Sequence, residues 1–213
     1  MNPFPIVLSA PSGSGKTTVT RRLMERRTDI GYSVSCTTRA PREGEVDGVD
    51  YHFPTEAEFA ARRERGDLAE WAVVHGRSYG TLKSAVQKVL DSGRHVMMDI
   101  DVQGAAQFAA AYPTSVLIFI LPPSVEELVE RLQERQTEDH ATLLTRLKSA
   151  RTELRAVDSY HYVVVNDDLD TAVDRVSSIV DAEEVKRQRV RTLDVQVTGL
   201  IARLEQQISN FST

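Results

Sequence analysis

The sequence predicts an α/β protein: a P-loop, doubly wound parallel sheet core interrupted by a small mixed, β-rich lobe. Three observations carry this. A short apolar run, Ile6-Val7-Leu8, leads through Ala10-Pro11-Ser12-Gly13-Ser14-Gly15-Lys16-Thr17-Thr18 into Val19, Leu23 and Met24 at helical spacing. Beyond residue 95, apolar runs of strand length alternate with helical patterns, the rhythm of a parallel sheet wrapped by helices. Between about 31 and 80, turn signals instead come at hairpin spacing, which marks an insertion.

The first element reads as strand, phosphate loop and helix. Glycines let the backbone curl so that several N–H groups face one anion, and the helix N-terminus adds positive dipole there. In such a loop Lys16 reaches the β- and γ-phosphates and the Thr17 hydroxyl sits on Mg²⁺. The first glycine of G-x-x-x-x-G-K-[ST] is Ala10 here, and the alternative is an ordinary Ser/Gly turn.

The next elements follow from local punctuation. Tyr32 to Cys36 alternates like a strand and runs into Thr37-Thr38-Arg39-Ala40-Pro41-Arg42; Asp47-Gly48 signals a hairpin before Val49 to Phe53. Thr55-Glu56-Ala57-Glu58 is a capping box opening a helix that stops at Gly66. Leu68 to His75 follows as a strand, and Thr81 is expected to cap a helix to Gly93. The βα rhythm then gives a strand Val96 to Ile100, a helix Val102 to Tyr112 and a strand Val116 to Leu121, whose near-continuous apolar run suits burial on both faces. Pro122-Pro123 breaks that strand before a second capping box, Ser124 to Glu127, opens a helix with Leu128 and Leu132 on one face. A helix from His140 to Val157, a strand Tyr162 to Val165 and a long helix from Leu169 complete this part.

Composition narrows the class. The 213 residues, 41% hydrophobic and 27% charged, make a globular chain able to bury a core. A net charge of −5 argues against non-specific nucleic-acid binding, so an anionic substrate must be captured by local arginines. The single cysteine excludes an intrachain disulfide. With no basic or apolar leader at Met1 to Pro5 and no membrane-length apolar run, a cytoplasmic protein is expected.

Asp99 ends the run Val96-Met97-Met98, at the strand edge where ligands of parallel sheets bind. A carboxylate near Mg²⁺ and an acidic cap of the following helix are the two readings. Asp101 equally caps the helix from Val102 or faces the ligand. Arg39 and Arg42 flank Pro41 on a stiff loop, and a guanidinium fork suits phosphate oxygens, although most arginines are solvated surface. The same two readings apply to Arg131 and Arg135, four apart on one helix, and to Arg146 on the next.

These segments together resemble guanylate kinase. Ser12 to Lys16, Ser33 to Glu45, Gly48 to Phe53, Glu70-Trp71, Tyr79-Gly80-Thr81, Asp99-Ile100-Asp101-Val102-Gln103-Gly104 and Val165 to Asp168 stand in that family's order and spacing. The resemblance covers about residues 4 to 182. It implies transfer of the γ-phosphoryl group of MgATP to GMP, and to dGMP, giving ADP and the nucleoside diphosphate in purine metabolism. It also implies a core (1–30 and 82–182), a GMP-binding lobe (about 31–81) and a helical lid (about 124–157).

Carried over by position, Ser12, Gly13, Ser14, Gly15, Lys16, Thr17 and Thr18 would hold the ATP phosphates, Thr17 the metal, and Asn166 and Asp167 the adenine side. Arg39, Arg42, Tyr51 and Tyr79 would hold the GMP phosphate, and Ser35, Glu70, Thr81 and Asp101 would line the guanine site. Lys16, Arg39, Asp99, Arg131, Arg135 and Arg146 would act on the transferring group. Thr81 stands where the family often has serine, and Gln136 where its lid usually has glycine.

The chemistry agrees. GMP phosphate is already an anionic nucleophile, so catalysis is positioning plus charge stabilisation, which suits a site rich in arginine. The five histidines show no metal-ligand spacing and receive no role. Guanine offers N1–H and N2–H₂ as adjacent donors to carboxylates, whereas adenine offers an acceptor at N1. Sites built on such bonds discriminate by about 10⁴ or more. The competing readings are a guanylate-kinase-like binding module and a related kinase acting on another phosphorylated ribose or nucleotide.

The tail, 183–213, lies outside the resemblance. Val190, Leu193, Val197, Leu200 and Leu204 fall in a 3-4-3-4 seam with Ile201 and Ile208 beside it, barely two heptads and interrupted by Gly199. A short helix of this kind needs a partner. Either it folds back on its own core or frays, or it pairs with a second subunit in a homodimer.

Overall fold

The computed structural model describes residues 2–74, 76–133 and 140–211. Its main sheet has five parallel strands in the order β2-β6-β1-β7-β8: β1 (Pro5–Ser9), β2 (Ile30–Tyr32), β6 (His95–Asp99), β7 (Val116–Leu121) and β8 (Tyr162–Val165). Alternate residues of these apolar strands feed two separate cores. Ile6, Leu8, Met97, Ile118 and Ile120 pack with Val19 and Leu23 of α1 (Lys16–Arg26) and Val173, Val176 and Val180 of α7 (Leu169–Glu184). Val7, Val96, Met98 and Leu117 point the other way, onto α3 (Lys83–Asp91) and Phe108 of α4 (Val102–Ala111). Burial on both faces explains why the strands read as unbroken hydrophobic runs.

The second sheet is antiparallel, ordered β3-β5-β4, from β3 (Cys36–Thr37), β4 (Leu68–Val74) and β5 (Arg77–Leu82). Cys36, Phe59 and Leu68 form its small core beneath α2 (Glu56–Glu64). The capping box at Thr55 and Glu58 is present in both directions, and Gly66 leaves the helix with φ 72°.

Several sequence expectations are corrected. The strand expected over Tyr32 to Cys36 is divided: Tyr32 ends β2 in the parallel sheet and Cys36 begins β3, while Ser35 C=O accepts from His52 N–H. Gly48 turns as expected, with φ 77°, but the segment after it makes only isolated pairings, His52 with Cys36 and Tyr51 with Asp47. Thr81 does not cap a helix. It lies inside β5, α3 starts at Lys83 without a side-chain cap, and the Thr81 hydroxyl goes to Glu70 instead. The helices between 124 and 157 are α5 (Val125–Gln133) and α6 (His140–Leu154). The helix expected to reach Val157 therefore stops earlier and is followed by a 3₁₀ turn, Val157–Ser159.

Of the two readings of the tail, folding back or fraying is corrected. Glu183, buried, accepts from Tyr162, Lys186 and Arg189, and Arg189 also donates to Thr114 C=O, so the chain is tied to the core up to that point. Beyond it α8 (Leu193–Phe211) buries none of its residues. It neither folds back on the core nor loses its helix.

Candidate active site

The site lies at the C-terminal edge of the parallel sheet, where β1 and β6 end. Between β1 and α1 the chain turns through Gly13 (φ 90°) and Gly15 (φ 83°), conformations that a side chain would strain. Gly15 caps α1 with no side-chain bond, so the helix's first N–H groups are left for an anion. Lys16 Nζ donates to Ile100 C=O (3.1 Å), which holds the ammonium across the strand edge. A cleft of about 460 Å³ opens beside the loop, lined by Gly13, Gly15, Thr18, Arg131, Asn166 and Asp167. Asn166 Nδ2 donates to Ser14 C=O (2.8 Å), and a Cβ on Gly15 would lie 2.4 Å from that nitrogen. The loop thus needs glycine for space as well as for φ. Arg131 pairs with Glu127 (2.7 Å) at the rim, and the largely buried Arg146 donates to Ser12 Oγ (2.9 Å).

Thr17 Oγ1 donates to Asp99 Oδ2 (3.1 Å), and Tyr32 OH donates to Asp99 Oδ1 (2.6 Å). A hydroxyl and a carboxylate side by side at a phosphate loop are hard oxygen donors, which fits Mg²⁺ held jointly with phosphate. Burial, with the Asp99 charge second, holds the Tyr32 phenol well above its usual range, so it stays a donor.

A second cleft, of about 160 Å³, is lined by Lys16 of the same loop together with Ser35, Tyr51, Glu70, Tyr79, Asp99 and Asp101. Glu70 is 4% exposed. Its Oε1 accepts from Thr81 Oγ1 (2.6 Å), and Thr81 Oγ1 lies 3.4 Å from Ser35 Oγ. Burial raises the Glu70 carboxyl to about 7, with the Asp101 charge adding to it and the Thr81 bond opposing it. The Asp101 side chain caps α4, accepting from Gln103 and Gly104 N–H (2.7 and 2.8 Å), and it also lines the cleft.

Of the arginines, Arg39 is drawn inward and Arg42 is not. Arg39 sits over Tyr51 (5.3 Å) and Phe53 (5.7 Å) and pairs with Glu45 through both outer nitrogens (2.7 and 2.8 Å). Its Nε is buried without a partner among the described residues. The Arg42 side chain is exposed, while its backbone N–H donates to the same Glu45 (2.7 Å). Arg135 and Gln136 lie outside the described residues, as does His75.

Three residues escaped the sequence reading. Glu45 is held at about 2 by its bond to Arg39 and organises the arginine loop. Its signal was available: one acid three and six residues after two arginines. Tyr32 orients Asp99 and Glu153 Oε2 accepts from Ser12 N–H (3.1 Å), contacts across long separations that no local pattern encodes. Among the histidines, His95 is fully buried. Its Nδ1 accepts from Phe4 N–H and its Nε2 pairs with Glu184 (2.8 Å). Asp29 and Glu184 lie close enough to it for a cation, but the Arg27 guanidinium fills that role, 2.6 Å from Asp29.

Comparison with known proteins agrees with the geometry. The family model described as guanylate kinase matches residues 2–183. A guanylate kinase of Clostridium perfringens is 48% identical over 186 residues, covering 87% of this chain and 86% of that protein. One of Thermotoga maritima is 46% identical over 197 residues, covering 91% and 95%. The crystal structure of guanylate kinase from Anaplasma phagocytophilum superimposes with a TM-score of 0.74 at 36% identity, covering 90% of this chain and 92% of that one. With the phosphate loop, the strand-end Asp99 and the buried Glu70 in place, the chain belongs to the guanylate kinase family.

Proposed function

We propose that the protein transfers the γ-phosphoryl group of ATP to GMP, and to dGMP, giving ADP and the nucleoside diphosphate, as an enzyme of purine nucleotide metabolism and GMP recycling in the cytoplasm. The observation that carries this is a pair of unlike clefts beside one loop, the first lined by Gly13, Gly15 and Thr18 and the second by Lys16 with the carboxylates of Glu70, Asp99 and Asp101. The loop and Lys16 hold the ATP phosphates, with Asn166 and Asp167 on the adenine side. Ser35, Glu70, Thr81 and Asp101 hold guanine, and Arg39, Arg42, Tyr51 and Tyr79 its phosphate. Arg131, Arg135 and Arg146 close over the transferring group. Mg²⁺ beside Thr17 would neutralise phosphate charge. These roles divide the chain into a core (1–30 and 82–182), a GMP lobe (about 31–81), a lid (about 124–157) and an extension (183–213).

An assay of ADP release with ATP and each of GMP, AMP, CMP and UMP tests the assignment. GMP is expected to be turned over preferentially, and comparable turnover of AMP overturns it. Among the described residues no helix is long and apolar enough to cross a membrane. Neither a membrane nor nucleic acid belongs to this reading.

The extension pairs two copies of the chain. Leu200, Ile201, Leu204 and Ile208 are 50–64% exposed on α8, at the spacing of a helix seam. Burying each would contribute about 1.5–3 kcal/mol. Sedimentation of the full chain and of a chain ending at Thr192, which keeps the Glu183–Arg189 anchor, decides the matter. A concentration-dependent dimer lost on truncation is expected, and a full chain that stays monomeric at all concentrations contradicts it.

A further inference from the structure

We propose that Gly104 and Gln107, on the face of α4 that meets β4, are positioning residues that set where the Glu70 carboxylate stands and thereby the preference for guanine. This rests on the reading of Glu70 as a guanine acceptor.

Glu70 lies on β4, an edge strand of its sheet, and a register shift separates it from Leu68. An edge strand leaves every second residue's N–H and C=O without a partner. At Trp71, the residue after Glu70, both groups are taken by one side chain: Gln107 Oε1 accepts from Trp71 N–H (3.3 Å), and Gln107 Nε2 donates to Trp71 C=O (2.7 Å). A helix side chain supplies here the pairing that another strand would give. It fixes the backbone next to the acid on the side away from β5.

One helical turn earlier stands Gly104. A Cβ there would fall 2.3 Å from Glu70 Oε2 and 3.0 Å from its Cδ. Glycine within a helix costs about 1 kcal/mol relative to alanine, so the vacant space comes at the expense of helix stability. Asp101 fixes the start of the same face by capping Gly104 N–H, and Ala105 and Phe108 anchor the helix in the core. The carboxylate is therefore located from three directions: the Thr81 hydroxyl on Oε1, the gap at Gly104 for Oε2, and the Trp71 backbone held by Gln107.

Steady-state kinetics and thermal unfolding of G104A, Q107L and E70A test this. The atoms that a Gly104→Ala methyl displaces belong to the Glu70 carboxylate and not to backbone, and alanine favours the helix. G104A is therefore expected to keep or raise its melting temperature while the KM for GMP rises about tenfold or more and the KM for ATP stays within about twofold. Q107L is expected to shift the KM for GMP in the same direction by a smaller factor, and it carries the same readout should G104A fail to fold. A normal KM for GMP in both variants beside a raised one in E70A overturns the positioning role. Equal rises for ATP and GMP with a lowered melting temperature also overturn it, by making the two residues merely structural. A normal KM for GMP in E70A instead removes the guanine reading of Glu70 on which the proposal stands.

Discussion

The two clefts beside the loop from Gly13 to Thr18 are built by opposite means. The side proposed to hold phosphate is one contiguous loop that offers backbone N–H groups, glycine conformations and a helix terminus. The side proposed to hold the base is made of side chains from β4, β5, the loop before β3 and the start of α4, none adjacent in sequence. A backbone site recognises charge and shape common to every nucleotide, whereas a side-chain site distinguishes one base from another. The contrast predicts that damage on the two sides affects different ligands by different amounts.

The largest effect is expected on the phosphate side. Lys16→Ala removes the cation held at the strand edge. Turnover should fall by about 10²–10³, with the far-ultraviolet spectrum and melting temperature retained. Near-normal turnover in a folded variant would show that this loop is not the catalytic one.

Next comes the buried acid. The Glu70 carboxyl stands at about 7 against an ordinary 4.5, so the folded chain binds this proton more tightly than the unfolded chain does. A raised carboxyl of this kind lends stability that is present below pH 4.5 and lost as pH rises through about 7, a difference of roughly 3 kcal/mol. Glu70→Gln should therefore be more stable than the parent above pH 7 and lack that loss, while binding GMP worse because its amide nitrogen faces the guanine donors. Chemical denaturation at pH 5 and pH 8 checks the first part, and identical pH dependence in both proteins would contradict it.

A smaller effect is expected at Glu45, which holds Arg39 without reaching into either cleft's lining. Glu45→Gln should raise the KM for GMP by a few-fold, about 1 kcal/mol, with the KM for ATP unchanged. An unchanged KM for GMP would mean that Arg39 needs no such support.

The same contrast governs what the sequence could reveal. The phosphate loop was legible because its function depends on residues next to one another, and Asp99 because a strand end places it. The parallel core was legible because burial on both faces leaves continuous apolar runs such as Val116 to Leu121. Glu70 came only through family resemblance, since its surroundings are set by Thr81, eleven residues away, and by the space at Gly104. Thr81 was misread as a cap for a related reason: its hydroxyl has two good uses, and tertiary pairing within β5 won over the local one. Gln107 and Tyr32 left no signal, because one binds backbone and the other a carboxylate 67 residues away.

Separate calorimetric titrations of ATP and of GMP into the parent, K16A and E70A test the division of labour most directly. The account predicts a crossed pattern: K16A weakens ATP and spares most GMP affinity, whereas E70A abolishes measurable GMP binding and leaves ATP unchanged. If both substitutions weaken the same ligand to the same extent, the two clefts do not hold different substrates.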